Sequence, residues 1–320
     1  MYTGTQTSWF IEIMDCFTKE TQDWLDQRFR ATDADGVYVG HQPIYGFRGG
    51  PSESCLVERY SITFQIMRAL SQIRFQTFID IGGAEGYKAA LVRYLFGAVV
   101  RSSDLSREAC QRSQEIFGVP GDVIDIHNLP YPDRAFDTVL CSETLEHVLR
   151  YREATRELMR IANNAVVITV PRESEDVVRK NIEEKVPHGH IHALDKTSFD
   201  FVKSEGWSVA VRGMNSGLLT VLRELVEARS RDYGQRSYPR FIYDAYNMAL
   251  PLFRLILGNW AVKATVRLDD LLSNVTNSYQ GMCFILQRDA AGLAPPIRHV
   301  SMTDILGFKV PHFRIAELNK

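Results

Sequence analysis

Between residues 76 and 171, short apolar segments alternate with longer segments of helical periodicity, and this alternation restricts the possible folds more than any other feature. Strands are predicted at 76–81, 98–104, 122–126, 135–141, 164–171, 207–213 and 281–287. Helices between them are predicted at 87–97, 106–118, 143–162 and 196–206. Such alternation is typical of an open sheet with helices on both faces. The sequence therefore predicts an α/β fold with a Rossmann-like, seven-stranded, mostly parallel sheet.

The rest of the chain flanks or interrupts this predicted sheet. Two helices are predicted near the N-terminus, at 8–31 and 56–73. A long helical segment separates the sixth and seventh strands, and it far exceeds the usual connection of about 2–6 residues. The predicted division is an N-terminal helical cap at 1–75, a ligand-binding core at 76–214, a helical insertion at 215–279, and the last strand with an extended strap at 280–320.

Composition narrows the class of protein. The 320 residues carry a formal net charge of −2, which argues against wrapping a long nucleic acid but leaves binding of a short end open. Five scattered cysteines without a CxxC pair favour reduced thiols. The N-terminal apolar stretch contains Glu12 and Asp15, so it does not resemble a signal peptide. The sequence thus predicts a soluble, cytoplasmic protein, and nothing in it indicates the oligomeric state.

One apolar region, residues 241–262, is interrupted by polar residues and by Pro251, which makes it too short for a transmembrane span. Residues 250–272 are interpreted first as a covered core helix. A lid wall, a dimer surface and a peripheral lipid contact remain as alternatives.

The first strand-to-helix turn has the sequence DIGGAEG at residues 80–86, where small residues allow a ligand to approach the backbone closely. Asp104 ends the second strand and is suitably placed to accept hydrogen bonds from ribose hydroxyls. Asp125 ends the third, where it can accept the exocyclic amine of adenine. Carboxylates at two successive strand ends suit a nucleoside without phosphates. A nicotinamide dinucleotide would explain Asp104 but not Asp125.

Four segments resemble class I S-adenosylmethionine-dependent methyltransferases in order and spacing: FIDIGGAEGYKAALV, VVRSSDLS, GDVIDIHNLPYPDRAFDTVLCSETLEHV and AVVITVP. The resemblance covers roughly residues 76–212 and the strand at 280–288. It implies S-adenosylmethionine as the cofactor. Ala84 stands where the family motif D-x-G-x-G-x-G has its middle glycine. The residues implied for the cofactor are Asp80, Gly82 and Gly86 for the methionine part, Asp104 for the ribose, and Asp125 with Ile126 for the adenine.

The segment SETLEHV at residues 142–148 follows the fourth strand. If it begins a helix, Glu143, Glu146 and His147 share one face. The pattern ExxEH resembles ubiquinone-pathway O-methyltransferases and small-RNA 3′-terminal 2′-O-methyltransferases. In the second group these three residues and a later histidine ligate a divalent metal. The match of ALDKTSF to the segment after that ligand implies His190, rather than His188 or His192, as the fourth ligand.

Three interpretations of this group remain open. The resemblance implies a site for Mg²⁺, Mn²⁺ or Zn²⁺ made by Glu143, Glu146, His147 and His190, a donor set that suits these ions. Without a metal, His147, His190 or Glu143 would act as a catalytic base or contact the substrate. The third interpretation gives all four residues structural roles.

A lid built from residues 33–60 and the insertion favours a small acceptor over a polymer surface. Residues 36–47, GVYVGHQPIYGF, either line a polar, aromatic pocket or pack Tyr38, Ile44, Tyr45 and Phe47 on the core. We expect O-methylation of a small-molecule or glycosyl hydroxyl. One alternative is metal-dependent 2′-O-methylation of an RNA end. The helix predicted at 143–162 offers a basic groove for it, made by Arg150, Arg152, Arg156 and Arg160. The other is a methyltransferase fold that binds a partner without catalysis.

Overall fold

The computed structural model describes residues 18–53, 55–227, 240–288 and 299–315, and its centre is a seven-stranded sheet. The strands are β1 Thr77–Ile81, β2 Val99–Asp104, β3 Gly121–Val123, β4 Phe136–Ser142, β5 Ala162–Pro171, β6 Ser208–Met214 and β7 Gly281–Gln287. Their order in the sheet is β3-β2-β1-β4-β5-β7-β6. Six of these strands run in the same direction, and β7 runs antiparallel to them. This sheet confirms the predicted fold class.

Helices cover both faces of the sheet. They are α1 at 18–29, α2 Leu56–Leu70, α3 Tyr87–Phe96, α4 Arg107–Phe117, α5 Tyr151–Ile161, α6 Glu175–Glu183, α7 Thr220–Glu227, α8 Arg240–Ile256, α9 Asn259–Val275 and α10 Met302–Gly307. The ends of α4 follow from its sequence. The Ser106 hydroxyl accepts a hydrogen bond from the Ala109 amide, and Gly118 ends the helix with a φ of 59°.

The alternation of side chains along the strands creates two cores. In β5, Val166 and Ile168 face one core with α5, whereas Val167 faces the other with α2 and α3. All three are fully buried. Because a central strand is covered on both faces, the middle of β5, Ala165–Ile168, is an unbroken apolar run rather than an alternating one.

The predicted helix at 143–162 is wrong in its first part. Glu143 has a φ of +55°, a 3₁₀ turn spans Leu145–His147, and α5 begins only at Tyr151. Tertiary hydrogen bonds occupy the carbonyls that a helix would use. The Glu146 carbonyl accepts from the Ile191 amide at 2.9 Å, and the Val148 carbonyl accepts from His192 Nε2 at 2.7 Å. Backbone groups satisfied in this way gain nothing from becoming helical.

Other boundaries also differ from the prediction. The segment 196–206 forms turns and a 3₁₀ helix at Asp200–Glu205, because the Asp195 carboxylate accepts hydrogen bonds from the Thr197 amide and the Ser198 hydroxyl. Helix α6 lies in a segment expected to be a loop, and α10 lies in the expected strap. The third strand ends at Val123, whereas the prediction extended it to residue 126, so Asp125 lies on the loop that follows.

A buried carboxylate joins the N-terminal helices to the insertion. Asp269 of α9 accepts hydrogen bonds from the Ser61 hydroxyl of α2 at 2.8 Å and from the Asn215 and Ser216 amides at 2.9 and 2.7 Å. Arg223 of α7 lies 3.1 Å away and balances its charge. Of the N-terminal helix predicted at 8–31, residues 18–29 are helical, and residues 8–17 lie outside the described ranges.

The insertion is not the covered core helix that the sequence predicts. Val262 and Val266 on the inner face of α9 are buried, but Leu252 and Ile256 of α8 and Trp260 of α9 are exposed. Within the described ranges, no helix combines the length and the apolar character needed to cross a membrane. None of the four described cysteines is in a disulfide.

Candidate active site

A cavity of about 530 Å³ lies at the carboxyl ends of β1, β2 and β4, the edge at which open α/β sheets bind ligands. Helix α1 and the segment 41–59 contribute to its lining. Of the residues predicted for the cofactor, Gly82, Asp104, Asp125 and Ile126 line it. The other two, Asp80 and Gly86, are not among the described lining residues.

The turn after β1 has a tightly packed backbone. Gly82 has a φ of +74°, and a Cβ atom there would lie 2.2 Å from the Thr144 hydroxyl. The amides of Gly82 and Gly83 both donate to the Ser103 carbonyl, at 2.9 and 2.8 Å. Ala84 has a φ of +48°, so it adopts the left-handed conformation that favours the glycine of the family motif. Its methyl group lines the cavity.

Asp104 ties this turn to the next helix. One of its oxygens accepts from the Ala84 amide at 3.0 Å and the other from the Ser106 amide at 2.9 Å. Burial raises the pKa of Asp104 to about 6, although these backbone hydrogen bonds act in the opposite direction. Each carboxylate oxygen has two lone pairs. Asp104 therefore keeps acceptor capacity for a ligand hydroxyl.

Asp125 has a different environment, on the loop after β3. Its Oδ1 atom accepts from the His127 amide at 2.9 Å and lies 2.8 Å from His127 Nδ1. Partial burial favours a higher pKa for Asp125, but the hydrogen bonds from His127 outweigh it and lower the pKa below the usual value. Ile126 beside it is buried. An ionised acceptor next to an apolar side chain suits the edge and face of a purine ring.

Asp80 is fully buried beneath the turn. A Cβ on Gly83 would lie 3.0 Å from its Oδ2 atom. Neither oxygen of Asp80 has a hydrogen-bond partner among the described residues. Burial raises its pKa to about 7, against the opposing charge of Lys88. A buried carboxylate without hydrogen bonds is a position at which a ligand donor or cation is expected.

The raised pKa of Asp80 predicts a pH dependence of stability. The folded protein binds this proton more tightly than the unfolded chain, in which an aspartate has a pKa of about 4. Stability of the ligand-free protein should therefore fall as the pH rises from about 4 to about 7, by about 3 kcal/mol for this group. Asp80→Asn should make the fall smaller by this amount in urea titrations across the range, while the raised pKa values of Asp104, Glu143 and Glu146 keep the rest of it. Asp195→Asn, at an exposed carboxyl, should leave the slope above pH 5 unchanged, and an unaltered slope in Asp80→Asn would contradict the assignment.

A carboxylate and two imidazoles meet on another wall of the cavity. Potential ligand atoms of Glu146, His147 and His190 all lie within 4.8 Å of one another. Glu146 is buried, and both its oxygens are without hydrogen-bond partners among the described residues. Burial raises the pKa of Glu146 well above its usual value and lowers that of His147 well below it. Three converging donors, one of them a carboxylate that accepts no hydrogen bond among the described residues, fit a divalent metal ion.

The two imidazoles are oriented by groups behind them. His147 Nδ1 lies 3.3 Å from the Gly189 carbonyl, and His190 Nδ1 lies 3.0 Å from Glu173 Oε1. Both Nδ1 atoms thus have donor roles, which leaves each Nε2 as the ligand atom. Such outer contacts are typical of metal-binding histidines.

Glu143, the fourth predicted ligand, lies outside this group. Its amide donates to the Thr169 carbonyl at 2.8 Å, and its side chain lines the cavity. Burial raises the pKa of Glu143 to about 7. The structure thus brings three of the four predicted ligands together and leaves Glu143 as a separate carboxylate of the same cavity.

The other two histidines of the predicted cluster have different positions. The His188 ring stacks on His147 with centroids 3.7 Å apart, contacts Trp24 at 5.3 Å and lines the cavity. His192 donates to the Val148 carbonyl, which holds the loop in place. The HxH spacing in the sequence does not reveal this difference.

Sequence reasoning missed the pair His41 and Glu85. Glu85 is fully buried, and its Oε1 atom accepts from the Tyr38 hydroxyl at 3.3 Å and from the His41 backbone amide, and lies 3.1 Å from His41 Nδ1. His41 and Gln42 line the cavity, whereas Tyr38 is buried in the core. Both interpretations of residues 36–47 therefore describe part of that segment. The sequence offered one signal for Glu85, namely that it is the single acidic residue among the small residues of GGAEG at 82–86.

Comparisons with known proteins identify a methyltransferase domain in this chain. Residues 79–170 match the family described as a methyltransferase domain. Methyltransferase GfsG of Streptomyces halstedii is 26% identical over 159 residues, which are 47% of this chain and 56% of that protein. Norajmaline N-methyltransferase of Rauvolfia serpentina is 32% identical over 102 residues, 30% of this chain and 35% of that protein. The chain thus spans about half the length of the first relative and about a third of the second.

A solved structure shows the same fold over a larger part of the chain. Geranyl diphosphate C-methyltransferase from Streptomyces coelicolor A3(2) superposes with a TM-score of 0.50 and 16% identity, over 85% of this chain and 97% of that one. Its sheet architecture and the family match over β1 to β5 lead to one assignment. Residues 79–170 are a methyltransferase domain, and the sheet that contains them has the class I S-adenosylmethionine-dependent methyltransferase fold.

Proposed function

We propose that this protein transfers the methyl group of S-adenosylmethionine to a hydroxyl group of a small-molecule or glycosyl acceptor. The observation that carries the proposal is one cavity lined both by Gly82, Asp104 and Asp125 and by the group Glu146, His147 and His190. The first three residues suit the cofactor, and the second three suit the activation of a hydroxyl beside it.

The residues present fit S-adenosylmethionine chemically. This cofactor carries a cationic sulfonium and an ammonium, and the Asp80 carboxylate, which accepts no hydrogen bond among the described residues, lies beneath the turn that lines the cavity. Asp104 keeps acceptor capacity for ribose hydroxyls, and Asp125 with Ile126 suits the adenine ring. The structural relative from Streptomyces coelicolor was crystallised with S-adenosyl-L-homocysteine, the product form of the same cofactor.

Methyl transfer is an in-line displacement in which the methyl–sulfur bond breaks as the methyl–oxygen bond forms. The acceptor hydroxyl must lose its proton to a base. A divalent ion bound by Glu146, His147 and His190 would polarise that hydroxyl and lower its pKa. Glu143 lies outside the ligand group and lines the same cavity, so it is our proposed proton acceptor. Without a metal, His147 or His190 would take this role.

The shape of the site supports a small acceptor. A volume of about 530 Å³ lies within the range of small-molecule sites, about 300–1,000 Å³. The basic groove considered for an RNA end is largely neutralised, since Arg150, Arg156 and Arg160 form ion pairs with glutamates. Transfer to an amine nitrogen is the second candidate, because one relative is an N-methyltransferase by name. The cofactor-type residues weigh against a fold that only binds a partner.

The metal site gives a direct test. We expect the purified protein to hold about one divalent ion per chain, and Glu146→Ala to lose it, since the substitution removes a buried ligand. The measurement is elemental analysis of both proteins, with Glu153→Ala as a control at an exposed glutamate. Unchanged S-adenosylmethionine binding in Glu146→Ala would show that the variant is folded. Metal retained by Glu146→Ala would overturn the proposed ligand set.

The acceptor class requires a separate assay. Transfer of labelled methyl groups from S-adenosylmethionine to matched hydroxyl and amine compounds, with and without EDTA, separates the two candidates. Products methylated on oxygen, and lost with EDTA, are the expected result. Products methylated only on nitrogen would replace the first candidate with the second.

A further inference from the structure

The outer surface of the insertion is unusually apolar. Of the 18 exposed large apolar side chains among the described residues, nine lie on α8 and α9. Met248, Leu252 and Ile256 are 82%, 57% and 69% exposed, and they follow one another at intervals of four residues. Side chains with this spacing share one face of a helix. Trp260, 78% exposed, continues the surface at the start of α9.

This surface is not directed at the rest of the fold. Helix α8 packs chiefly on α7, while α9 packs on α2 and β6 through its opposite face, where Val262 and Val266 are buried. The outer face of α9 adds Leu271, which is also exposed. Contiguous apolar surfaces of this kind mark contacts with a protein or a membrane.

The charge of this surface distinguishes between a protein and a membrane as its binding partner. Up to residue 268, α8 and α9 contain four arginines and lysines, Arg240, Arg254, Lys263 and Arg267, against one aspartate, Asp244, a surplus of three positive charges in a chain whose net charge is −2. The next acidic residues point inward, since Asp269 is buried and Asp270 pairs with Arg68 and Arg212. Two copies meeting through this surface would bring equal positive charges together. An anionic surface is complementary to it.

We propose that α8 and α9 dock the protein on the surface of an anionic lipid bilayer. The apolar side chains would enter the boundary between headgroups and acyl chains, and the basic residues would lie at the headgroup phosphates, the arrangement of interfacial amphipathic helices. Trp260 suits the headgroup level, where tryptophan is enriched. The proposal is independent of the methyl acceptor, because it concerns a surface separate from the residues that line the cavity.

The test is co-sedimentation of the full chain with vesicles of phosphatidylcholine alone and of phosphatidylcholine with about 30% phosphatidylserine. We expect at least about tenfold stronger binding to the anionic vesicles, weakening as salt is added. Leu252→Ser combined with Trp260→Ser should lower this binding about tenfold. Tyr94→Ser, at an exposed aromatic on α3, is the matched control and should bind like the unmodified protein.

Binding of S-adenosylmethionine by the double variant, measured in parallel, shows that its fold is intact. Equal binding to both vesicle types, or no binding to either, would overturn the proposal. So would a dimer in sedimentation velocity that the double variant abolishes while vesicle binding is absent, since the surface would then join two copies of the chain. An equal loss in Tyr94→Ser would also contradict it.

Discussion

Replacing Asp104 by alanine is expected to lower the affinity for S-adenosylmethionine by about two orders of magnitude. The carboxylate accepts hydrogen bonds from the Ala84 and Ser106 amides, so it holds the turn after β1 against the start of α4. It also lines the cavity. A hydrogen bond to a charged group contributes about 1.5–3 kcal/mol, and about 2.8 kcal/mol corresponds to a hundredfold change in Kd. Losing the turn contacts and the ligand contact together should reach that value.

Isothermal titration with S-adenosylmethionine measures this effect. Asp122→Ala is the matched control. Asp122 lies on β3 and accepts hydrogen bonds from Arg101 of β2 and from the Tyr131 hydroxyl, and it is not among the described residues that line the cavity. The control should lose stability but keep its affinity. If Asp104→Ala bound the cofactor as tightly as Asp122→Ala, the placement of the ribose beside Asp104 would be wrong.

Replacing Gly86 by alanine is expected to destabilise the protein by about 2–5 kcal/mol. Gly86 has a φ of +78°, and a Cβ there would lie 2.2 Å from the Ser113 hydroxyl and 2.8 Å from its Cβ. The left-handed conformation costs a residue with a side chain about 1–2 kcal/mol. Overpacking against α4 adds about 1–3 kcal/mol. Urea unfolding of the ligand-free protein gives the total.

Gly97 provides a control for the backbone contribution alone. Its φ is +71°, but a Cβ there would meet nothing within 4 Å, so Gly97→Ala should cost only about 1–2 kcal/mol. Adding Ser113→Gly to Gly86→Ala should recover part of the larger loss by removing the atoms in the way. Equal losses in the two alanine variants would show that α3 and α4 are not in close contact at Gly86.

The residues of the cofactor half of the site could be predicted from short stretches of sequence. A glycine turn after an apolar strand, and Asp104 and Asp125 after the next two strands, are local signals. A parallel sheet brings the carboxyl ends of its strands to one edge. The structure places Gly82, Asp104 and Asp125 in one cavity for this reason.

The candidate metal-binding half of the site depended on contacts between segments that are far apart in the sequence. Periodicity predicted a helix from Glu143, yet hydrogen bonds from residues 191 and 192 hold residues 146 and 148 out of helical pairing. The same loop brings His190 to Glu146 and His147. No local propensity encodes a contact between segments more than 40 residues apart.

The sequence by itself determined the seven-stranded sheet and the residue types that suit a nucleoside cofactor. Regular strand–helix alternation specifies these features, because each depends on neighbours a few residues away. Tertiary structure decided that Glu143 is separate from Glu146, His147 and His190. It also decided that Glu85 holds His41 at the wall of the cavity and that α8 leaves its apolar face exposed. These outcomes depend on which buried groups find partners after packing, and that is a property of the whole fold.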